Sequence, residues 1–194
     1  MTRVAFTCLV AAVALQRLLE VRLSRRHERA LRARGAVETA ADQLPLMIVL
    51  HAAWLVGMVC EVWILQPPFR LWLAVTALVV CASGQLLRWS AITALGPRWT
   101  VRVLTLPSAE PVTHGVYRYL RHPNYLGVVF ETAALPLVHG AVWSACLFSM
   151  ANAWMLTARI RAEERALERD NGYERHFGLH RRLLPVSRGP RVPS

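Results

Sequence analysis

Apolar residues occur along this chain in long runs that short polar segments separate. A transmembrane helix needs about 20 mainly apolar residues, and three runs in the amino-terminal half approach or exceed that length. Pro45 suits the first turn of a helix, and the Gln-Pro-Pro sequence after Leu65 stops one. The pattern therefore predicts three membrane-spanning helices, over Val4 to Val21, Pro45 to Leu65 and Phe69 to Leu95.

The fourth apolar run, from Tyr125 to Met155, is too long for a single crossing. Pro136 and the pair His139-Gly140 interrupt it near its middle, and such residues favour a break between two helices. We therefore expect a tight helical hairpin here. The whole pattern predicts an all-α integral membrane bundle of about five transmembrane helices.

Charge adds information on topology. The chain has 194 residues, 55% of them hydrophobic, with a formal net charge of +11, and all 23 basic residues are arginines. This combination is typical of a small multi-span membrane protein. Because the arginines lie mainly between or after the apolar runs, they indicate membrane orientation and not a nucleic-acid surface. We expect the lipid bilayer as a partner and no nucleic acid.

The arginines predict which way the bundle faces. Cytoplasmic loops carry an excess of arginine, and the turn after the second helix has only Arg70. The linker after the first helix should therefore be cytoplasmic, with the amino terminus outside. Five crossings then place the arginine-rich linker before the hairpin and the carboxyl terminus in the cytoplasm as well. The first linker contains Arg22, Arg25, Arg26, Arg29, Arg32 and Arg34.

The cysteines give no sign of a metal site. Cys8, Cys60, Cys81 and Cys146 each lie in an apolar run, without a CxxC pair or a nearby cysteine-histidine group. We expect four buried thiols and no bound metal.

A polar segment, GVYRYLRHPNYLG from Gly115 to Gly127, separates the third and fourth apolar runs. Pro123 disfavours a helical backbone at His122 and is itself suited to begin the fourth helix. A helix start at the membrane surface presents unpaired N–H groups and a partial positive charge, which suit an anionic group. This segment is therefore a candidate binding site.

Two further observations concern the same segment. Asn124, Gly127 and Glu131 are spaced to share one face of the fourth helix, where the glycine leaves room between two polar residues. An alternative interpretation is purely structural. The tyrosines and arginines of the segment are also typical of an aromatic belt with charged anchors at a membrane surface.

The doublet Glu163-Glu164 follows the last apolar run. It too has a structural interpretation, because mixed charges at helical spacings usually form a solvated, ion-paired helix end. The surrounding charged residues are Arg159, Arg161, Arg165 and Glu168.

Taken together, GVYRYLRHPNYLG, a helical hairpin and then RAEERALERDNGYERHFGLHRRLLP resemble the isoprenylcysteine carboxyl methyltransferase family, from about Leu106 to Pro185. The resemblance implies an integral membrane enzyme that binds S-adenosylmethionine in a cytoplasmic pocket formed by its carboxyl-terminal half. It implies a catalytic core with a helical hairpin in residues 106–186. The apolar runs and arginines predict three spans with a basic cytoplasmic linker in 1–105, and the prolines and arginines of 187–194 predict a flexible tail.

The resemblance also implies roles for individual residues. Arg121 and Glu164 would be catalytic: Arg121 would orient the acceptor oxygen beside the transferred methyl, and Glu164 would lie near the amino group or sulfonium of the cofactor. Glu163 is the alternative to Glu164, and the family pattern does not decide between them. The residues implied to bind the cofactor are Tyr117, His122, Pro123, Asn124, Tyr125, Gly127, Glu163 and Tyr173.

The amino-terminal half, RLLEVRLSRRHERALRARGAVETAADQLPLMIVLHAAWLV, resembles bacterial members of this family that are associated with type III polyketide synthases. These methylate alkylpyrone-like lipids, so the resemblance implies an alkylpyrone-type acceptor, a polyketide synthase as partner and the bacterial inner membrane. A prenylcysteine-like carboxylate is the close alternative. We assign His51 and Glu131 to substrate binding, because ionisable groups in membrane helices are usually functional; an interhelical hydrogen bond is the alternative.

The chemistry agrees with an oxygen acceptor. Methyl transfer chiefly requires that two reactants be aligned and water excluded. A carboxylate is already ionised at neutral pH and needs no general base, and arginine suits it as a permanent planar cation. A phospholipid N-methyltransferase, which would first deprotonate an ammonium group, and a non-catalytic membrane scaffold remain alternatives.

Overall fold

The computed structural model describes residues 3–107, 109–173 and 183. Within them, five α-helices and two short strands form one bundle. The elements are α1 (Arg3–Ala33), β1 (Val37–Thr39), α2 (Gln43–Leu65), α3 (Leu71–Leu95), β2 (Val103–Thr105), α4 (Pro123–Leu137) and α5 (Val142–Asn171). Short 3₁₀ turns occur at Gly96–Arg98 and Gly115–Arg118. The predicted tail, residues 187–194, lies outside the described residues.

The three predicted amino-terminal spans are confirmed. In the described part of the chain, three helical segments are long and apolar enough to cross a membrane: Arg3–Ala33, Gln43–Leu65 and Leu71–Arg98. The protein is an integral membrane protein with a mainly helical fold. With 15 residues, α4 is about 22 Å long, which is shorter than the ~30 Å hydrocarbon core.

The predicted hairpin between α4 and α5 is also confirmed. Its turn contains Gly140 at a φ of 77°, a conformation that glycine adopts without strain. A Cβ at Gly140 would lie 3.4 Å from Pro67 Cβ in the α2–α3 turn. The Glu61 carboxylate accepts the backbone N–H groups of Trp143 at 3.0 Å and Ser144 at 2.7 Å, and so caps the start of α5. The two turns therefore lie at one end of the bundle, which we call the turn end.

The structure extends the first helix well beyond its predicted end. The apolar run ends near Val21, but α1 continues to Ala33 and includes most of the predicted basic linker. Arginine is a good helix former, so the helix does not require an apolar face to continue. With 31 residues, α1 is about 46 Å long, about 16 Å more than the hydrocarbon core.

Two strands that the sequence did not predict connect the end of α1 to the segment before α4. They are antiparallel, with Val37 opposite Thr105. Three-residue strands are too short to show an alternating pattern. Beside them, Glu38 forms ion pairs with Arg32 and Arg102. Burial raises the pKa of Glu38, but the hydrogen bonds from the two arginines outweigh burial and lower the pKa below its usual value.

Helices α3 and α4 approach each other closely at two glycines. A Cβ at Gly84 would lie 2.9 Å from the carbonyl oxygen of Gly127, and one at Gly127 would lie 2.5 Å from Arg88 Cγ. Such glycines let the backbones of membrane helices pack together. Towards the turn end, the core is apolar and includes the buried side chains of Phe6, Met58, Leu135 and Val138.

The prediction of four buried thiols was wrong for three of them. Cys81 is buried, whereas Cys8, Cys60 and Cys146 lie exposed on outer helix faces; all four are free. In a membrane protein an apolar run does not imply burial inside the protein, because the bilayer also covers apolar side chains.

Candidate active site

The candidate site lies opposite the turn end, where residues 99–122 form a linker between α3 and α4. Gly127, in the first turns of α4, packs against Arg88, seven residues before the end of α3 at Leu95. Seven helical residues span about 10 Å, but α4 begins at Pro123, four residues or about 6 Å nearer the linker end than Gly127, so its start lies close to the level of the end of α3. The linker and the end of α5 surround this helix start.

The sequence explains the start of α4. Pro123 is its first residue, and His122 has a non-helical backbone at φ −129°, ψ 60°. Among the described residues no side chain caps this start. The N–H groups of Asn124 and Tyr125 therefore have no partner within the helix, as in any first helical turn.

The carboxylate of Glu164 contacts the linker. Its Oε1 lies 3.1 Å from His122 Nε2 and 3.6 Å from Arg121 Nη1. His122 is buried, and its ring stacks on that of Tyr125 with centroids 5.5 Å apart. Glu164 therefore fixes the position of Arg121 and His122.

Glu163 faces a different set of groups. The Tyr125 hydroxyl donates a hydrogen bond to Glu163 Oε2 and accepts one from Arg159 Nε at 3.0 Å. Arg159 is only 4% exposed, and it also donates to the carbonyl oxygen of Val101. Sequence reasoning had placed Arg159 in a solvated helix end and missed it as a site residue. Its spacing of four residues before Glu163 was the available signal.

A cavity of about 140 Å³, with both polar and apolar groups in its lining, lies between the linker, the start of α4 and the end of α5. We call it the linker cavity. Burial raises the pKa of the Tyr117 phenol well above its usual value, and the Glu163 carboxylate raises it further. The same two causes raise the pKa of Tyr173. The residues that line the linker cavity include Tyr117, Arg121, Tyr125, Arg159, Glu163 and Tyr173.

A second, mainly apolar cavity of about 350 Å³ lies among α1, α2, α4 and α5. We call it the bundle cavity. It shares Thr100, Tyr125 and Arg159 with the linker cavity, so these residues form a common wall between a polar and an apolar space. Its lining includes His51, Trp54, Asn124, Tyr125, Glu131 and Arg159.

Four ionisable side chains form a network beside the bundle cavity. Arg17 contacts Glu131 at 2.5 Å and Glu20 at 2.6 Å, and Arg88 contacts Glu20 at 2.5 Å. The two arginines balance the two glutamates, so the network has no net charge when ionised. Sequence reasoning identified Glu131 but missed its partners, although charges inside apolar runs were visible.

The predicted site residues therefore divide between two places. Tyr117, Arg121, Tyr125, Glu163 and Tyr173 come together at the linker cavity. His51, Asn124 and Glu131 line the bundle cavity, although the sequence assigned Asn124 to the cofactor. Glu164 contacts both Arg121 and His122, and Pro123 follows His122 in the chain. The space beside Gly127 is filled by the Arg88 side chain, so it does not leave room for a ligand there.

Known proteins share this arrangement of helices. The eukaryotic intramembrane Ras methyltransferase ICMT matches with a TM-score of 0.51 and 24% identity over 68% of this chain and 48% of that chain. The isoprenylcysteine carboxyl methyltransferase (ICMT) family profile matches residues 75–169, from α3 to the end of α5. Fold and profile together define a membrane methyltransferase.

Individual relatives extend the match. YpbQ of Bacillus subtilis, an uncharacterized protein, is 34% identical over 164 residues, 84% of this chain and 96% of that protein. An uncharacterized protein of Haemophilus influenzae is 28% identical over 84% of this chain and 93% of its own length. Protein-S-isoprenylcysteine O-methyltransferase of Tribolium castaneum is 31% identical over 100 residues, 50% of this chain and 35% of that protein. The chain belongs to the isoprenylcysteine carboxyl methyltransferase family, whose methyltransferases use S-adenosylmethionine.

Proposed function

We propose that this protein transfers a methyl group from S-adenosylmethionine to an oxygen atom of a lipophilic acceptor. One observation carries the proposal: a cavity lined by charged and phenolic groups and a mainly apolar cavity meet at the side chains of Tyr125 and Arg159. A charged, water-soluble donor suits the first cavity, and a lipid-like acceptor suits the second. The reaction would take place where the two meet.

The linker cavity contains the groups that the cofactor requires. The Glu163 carboxylate suits an ammonium or sulfonium group, and the rings of Tyr117 and Tyr173 suit both a cation and a flat base. The uncapped start of α4 suits a carboxylate. When bound, S-adenosylmethionine supplies an electrophilic methyl group. The charges and rings of the lining residues therefore support this cofactor.

The two neighbouring glutamates have separate roles in this proposal. Glu163 lines the linker cavity and would contact the cofactor, whereas Glu164 pairs with Arg121 and His122. Arg121 lines the cavity and would orient the acceptor oxygen through its planar donors. Glu164 holds the Arg121 guanidinium in place, since their charged atoms lie 3.6 Å apart.

The bundle cavity suits an acceptor that enters from the membrane. Leu18 and Ile48 belong to its lining and are also 62% and 55% exposed on the outer surfaces of α1 and α2. A lipid tail can therefore reach the cavity sideways between these helices. An alkylpyrone-type polyketide is the preferred acceptor, supplied by a neighbouring polyketide synthase. A prenylcysteine-like carboxylate is the alternative.

The orientation is part of the proposal. The amino terminus would lie outside the bacterial inner membrane, with the linker end and the carboxyl terminus in the cytoplasm. The exposed arginines on the extension of α1 support this, because cytoplasmic segments are rich in arginine. A cysteine introduced at the exposed His114, in a cysteine-free variant, should resist a membrane-impermeant thiol reagent in intact cells. Labelling from outside would contradict the orientation.

Labelled methyl transfer tests the reaction. Purified protein is incubated with isotopically labelled S-adenosylmethionine and extracted bacterial lipids, and the products are identified by mass spectrometry. We expect label in an O-methyl group of a lipophilic compound. Label in phospholipid headgroups would instead identify an N-methyltransferase. No binding of S-adenosylmethionine by calorimetry would identify a non-catalytic protein and contradict the proposal.

A further inference from the structure

Glu131 has one carboxylate oxygen that the protein leaves without a hydrogen bond. Its Oε2 accepts from Arg17 Nη2 at 2.5 Å and lies 3.6 Å from Arg88 Nε. Its Oε1 is buried and has no hydrogen-bond partner among the described residues. The residue is 4% exposed and lines the bundle cavity. A buried, unsatisfied charged oxygen is unfavourable, so this atom is suited to a donor on a ligand.

Trp54, on α2, presents the opposite kind of group to the same cavity. Its indole Nε1 is a donor, is buried, and has no hydrogen-bond partner within the described part of the chain. Trp54 is 3% exposed and lines the bundle cavity together with Glu131. An indole nitrogen can only donate. Two further atoms of the cavity lining, the acceptor Asn124 Oδ1 and the donor Arg88 Nε, are also buried without a hydrogen-bond partner among the described residues. Glu131 Oε1 is the charged acceptor of this set and Trp54 Nε1 its uncharged donor.

The surrounding charges decide which ligand groups fit. Arg17 and Arg88 are balanced by Glu20 and Glu131, and Arg159, which also lines the cavity, faces Glu163 through the Tyr125 hydroxyl. Each guanidinium of the lining therefore already faces a carboxylate, and no excess positive charge is left for an anion. A ligand carboxylate could accept a hydrogen bond from Trp54. It would, however, be repelled by the Glu131 carboxylate oxygen that has no hydrogen bond, because both groups are negatively charged. A hydroxyl group can donate to Glu131 and accept from Trp54.

We propose that Glu131 and Trp54 make the bundle cavity selective for an uncharged lipophilic acceptor whose polar head carries a hydroxyl group, against one whose head is a carboxylate. This selectivity concerns binding and changes no bond. It rests on the proposed function in one respect: the ligand of the bundle cavity is taken to be the methyl acceptor.

Three probes that share a pentadecyl tail and an aromatic ring test the selectivity: pentadecylphenol, its methyl ether, and the carboxylate of pentadecylbenzoic acid. Their affinities for the full-length protein in lipid nanodiscs are measured without cofactor. The phenol should bind at least about tenfold more tightly than either of the other probes, because a hydrogen bond to a charged group raises affinity by about that factor. Equal affinity for the phenol and its ether, or tightest binding of the benzoate, would overturn the proposal. This comparison needs no variant and so is independent of any folding defect.

Glu131→Gln provides a second test, because it leaves the two arginines of the network with one excess positive charge. The preference for phenol over benzoate should fall about tenfold or more. Glu61→Gln is the matched control, since it makes the same change at the turn end, outside the cavity. It should keep the wild-type preference. An unchanged preference in Glu131→Gln would count against the assignment.

The reaction itself is measured separately. Calorimetry with S-adenosylmethionine and labelled transfer into lipids report on the proposed function without the probes. Transfer without a phenol preference would refute the selectivity and leave the methyltransferase intact. A phenol preference without cofactor binding would support the selectivity and refute the proposed methyltransferase function.

Discussion

Two adjacent carboxylates on α5 make different contacts. Successive residues of a helix point in different directions, so Glu163 reaches Tyr125 while Glu164 reaches His122 and Arg121. Only Glu163 lies among the described residues that line the linker cavity. At the scale of single residues, the proposed function therefore assigns cofactor contact to Glu163 and the positioning of Arg121 to Glu164.

The two glutamates should differ when each is changed to glutamine. Glu163→Gln should weaken S-adenosylmethionine binding about 10-fold to 100-fold, because a hydrogen bond to a charged group contributes about 1.5–3 kcal/mol. Glu164→Gln should keep cofactor affinity within about threefold and lower kcat, because the charge interaction between Glu164 and Arg121 is lost. Calorimetry and initial rates measure both effects. Equal losses of cofactor affinity in the two variants would contradict the separation.

Arg121 should be essential for transfer and dispensable for folding. Arg121→Ala should lower kcat/KM for the acceptor at least about 100-fold, because the acceptor oxygen is no longer oriented. Membrane insertion should be unchanged. Arg118→Ala is the matched control, since Arg118 is an exposed arginine of the same linker, and it should retain wild-type turnover. Normal turnover by Arg121→Ala would refute this role.

Part of the site could be predicted from single residues and their order. The motif indicated Tyr117, Arg121 and Tyr125, and the glutamate doublet indicated Glu163 or Glu164; the structure brings Tyr117, Arg121, Tyr125 and Glu163 together at one cavity. Arg159 could not be distinguished, because an arginine four residues before a glutamate is also typical of a surface ion pair. The direction of each glutamate depends on how α4 and α5 pack, which spacing within one helix does not define.

At the scale of elements, the contact between α3 and α4 sets the position of the site. Gly84 and Gly127 bring the two backbones together, and this contact places Gly127, one turn into α4, next to Arg88. Helix order and the hairpin were predictable, because apolar runs and helix breakers are local signals. The extension of α1 and the two strands were not, because neither depends on an apolar pattern.

Gly127→Ala should destabilise the protein by about 1–3 kcal/mol, as overpacking in a tight core does. The added Cβ would lie 2.5 Å from Arg88 Cγ and 2.6 Å from the Gly84 carbonyl oxygen, where backbone cannot yield easily. Thermal unfolding in detergent measures the loss. Gly57→Ala is the control: its Cβ would meet only the edge of the Phe148 ring, at 3.0 Å, and the loss should be smaller. A larger loss at Gly57 would contradict the packing.

The ion pairs of Glu38 should make the strand connection sensitive to acid. Its pKa is lower in the folded protein than its ordinary value of 4.5. The stabilisation is therefore complete above about pH 4.5 and is lost as the pH falls through the folded pKa. Glu38→Gln removes it at every pH. The difference in Tm between wild type and Glu38→Gln should shrink on acidification; a difference that grows would contradict the ion pairing.

At the scale of the whole molecule, two cavities of different polarity meet inside one membrane bundle. The wall that they share, with Tyr125 and Arg159, separates a space suited to a charged donor from one suited to a lipid. The sequence predicts a site at one membrane face. That two cavities share a wall there arises from packing between helices, so it could not be predicted from any one segment.

A structure of the protein bound to S-adenosylhomocysteine tests the central claim most directly. We expect its amino acid portion near Glu163 and the start of α4, with the sulfur directed at the wall formed by Tyr125 and Arg159. The bundle cavity should remain open to the membrane in that complex. Ligand density inside the bundle cavity, or at a surface away from α4 and α5, would contradict the account.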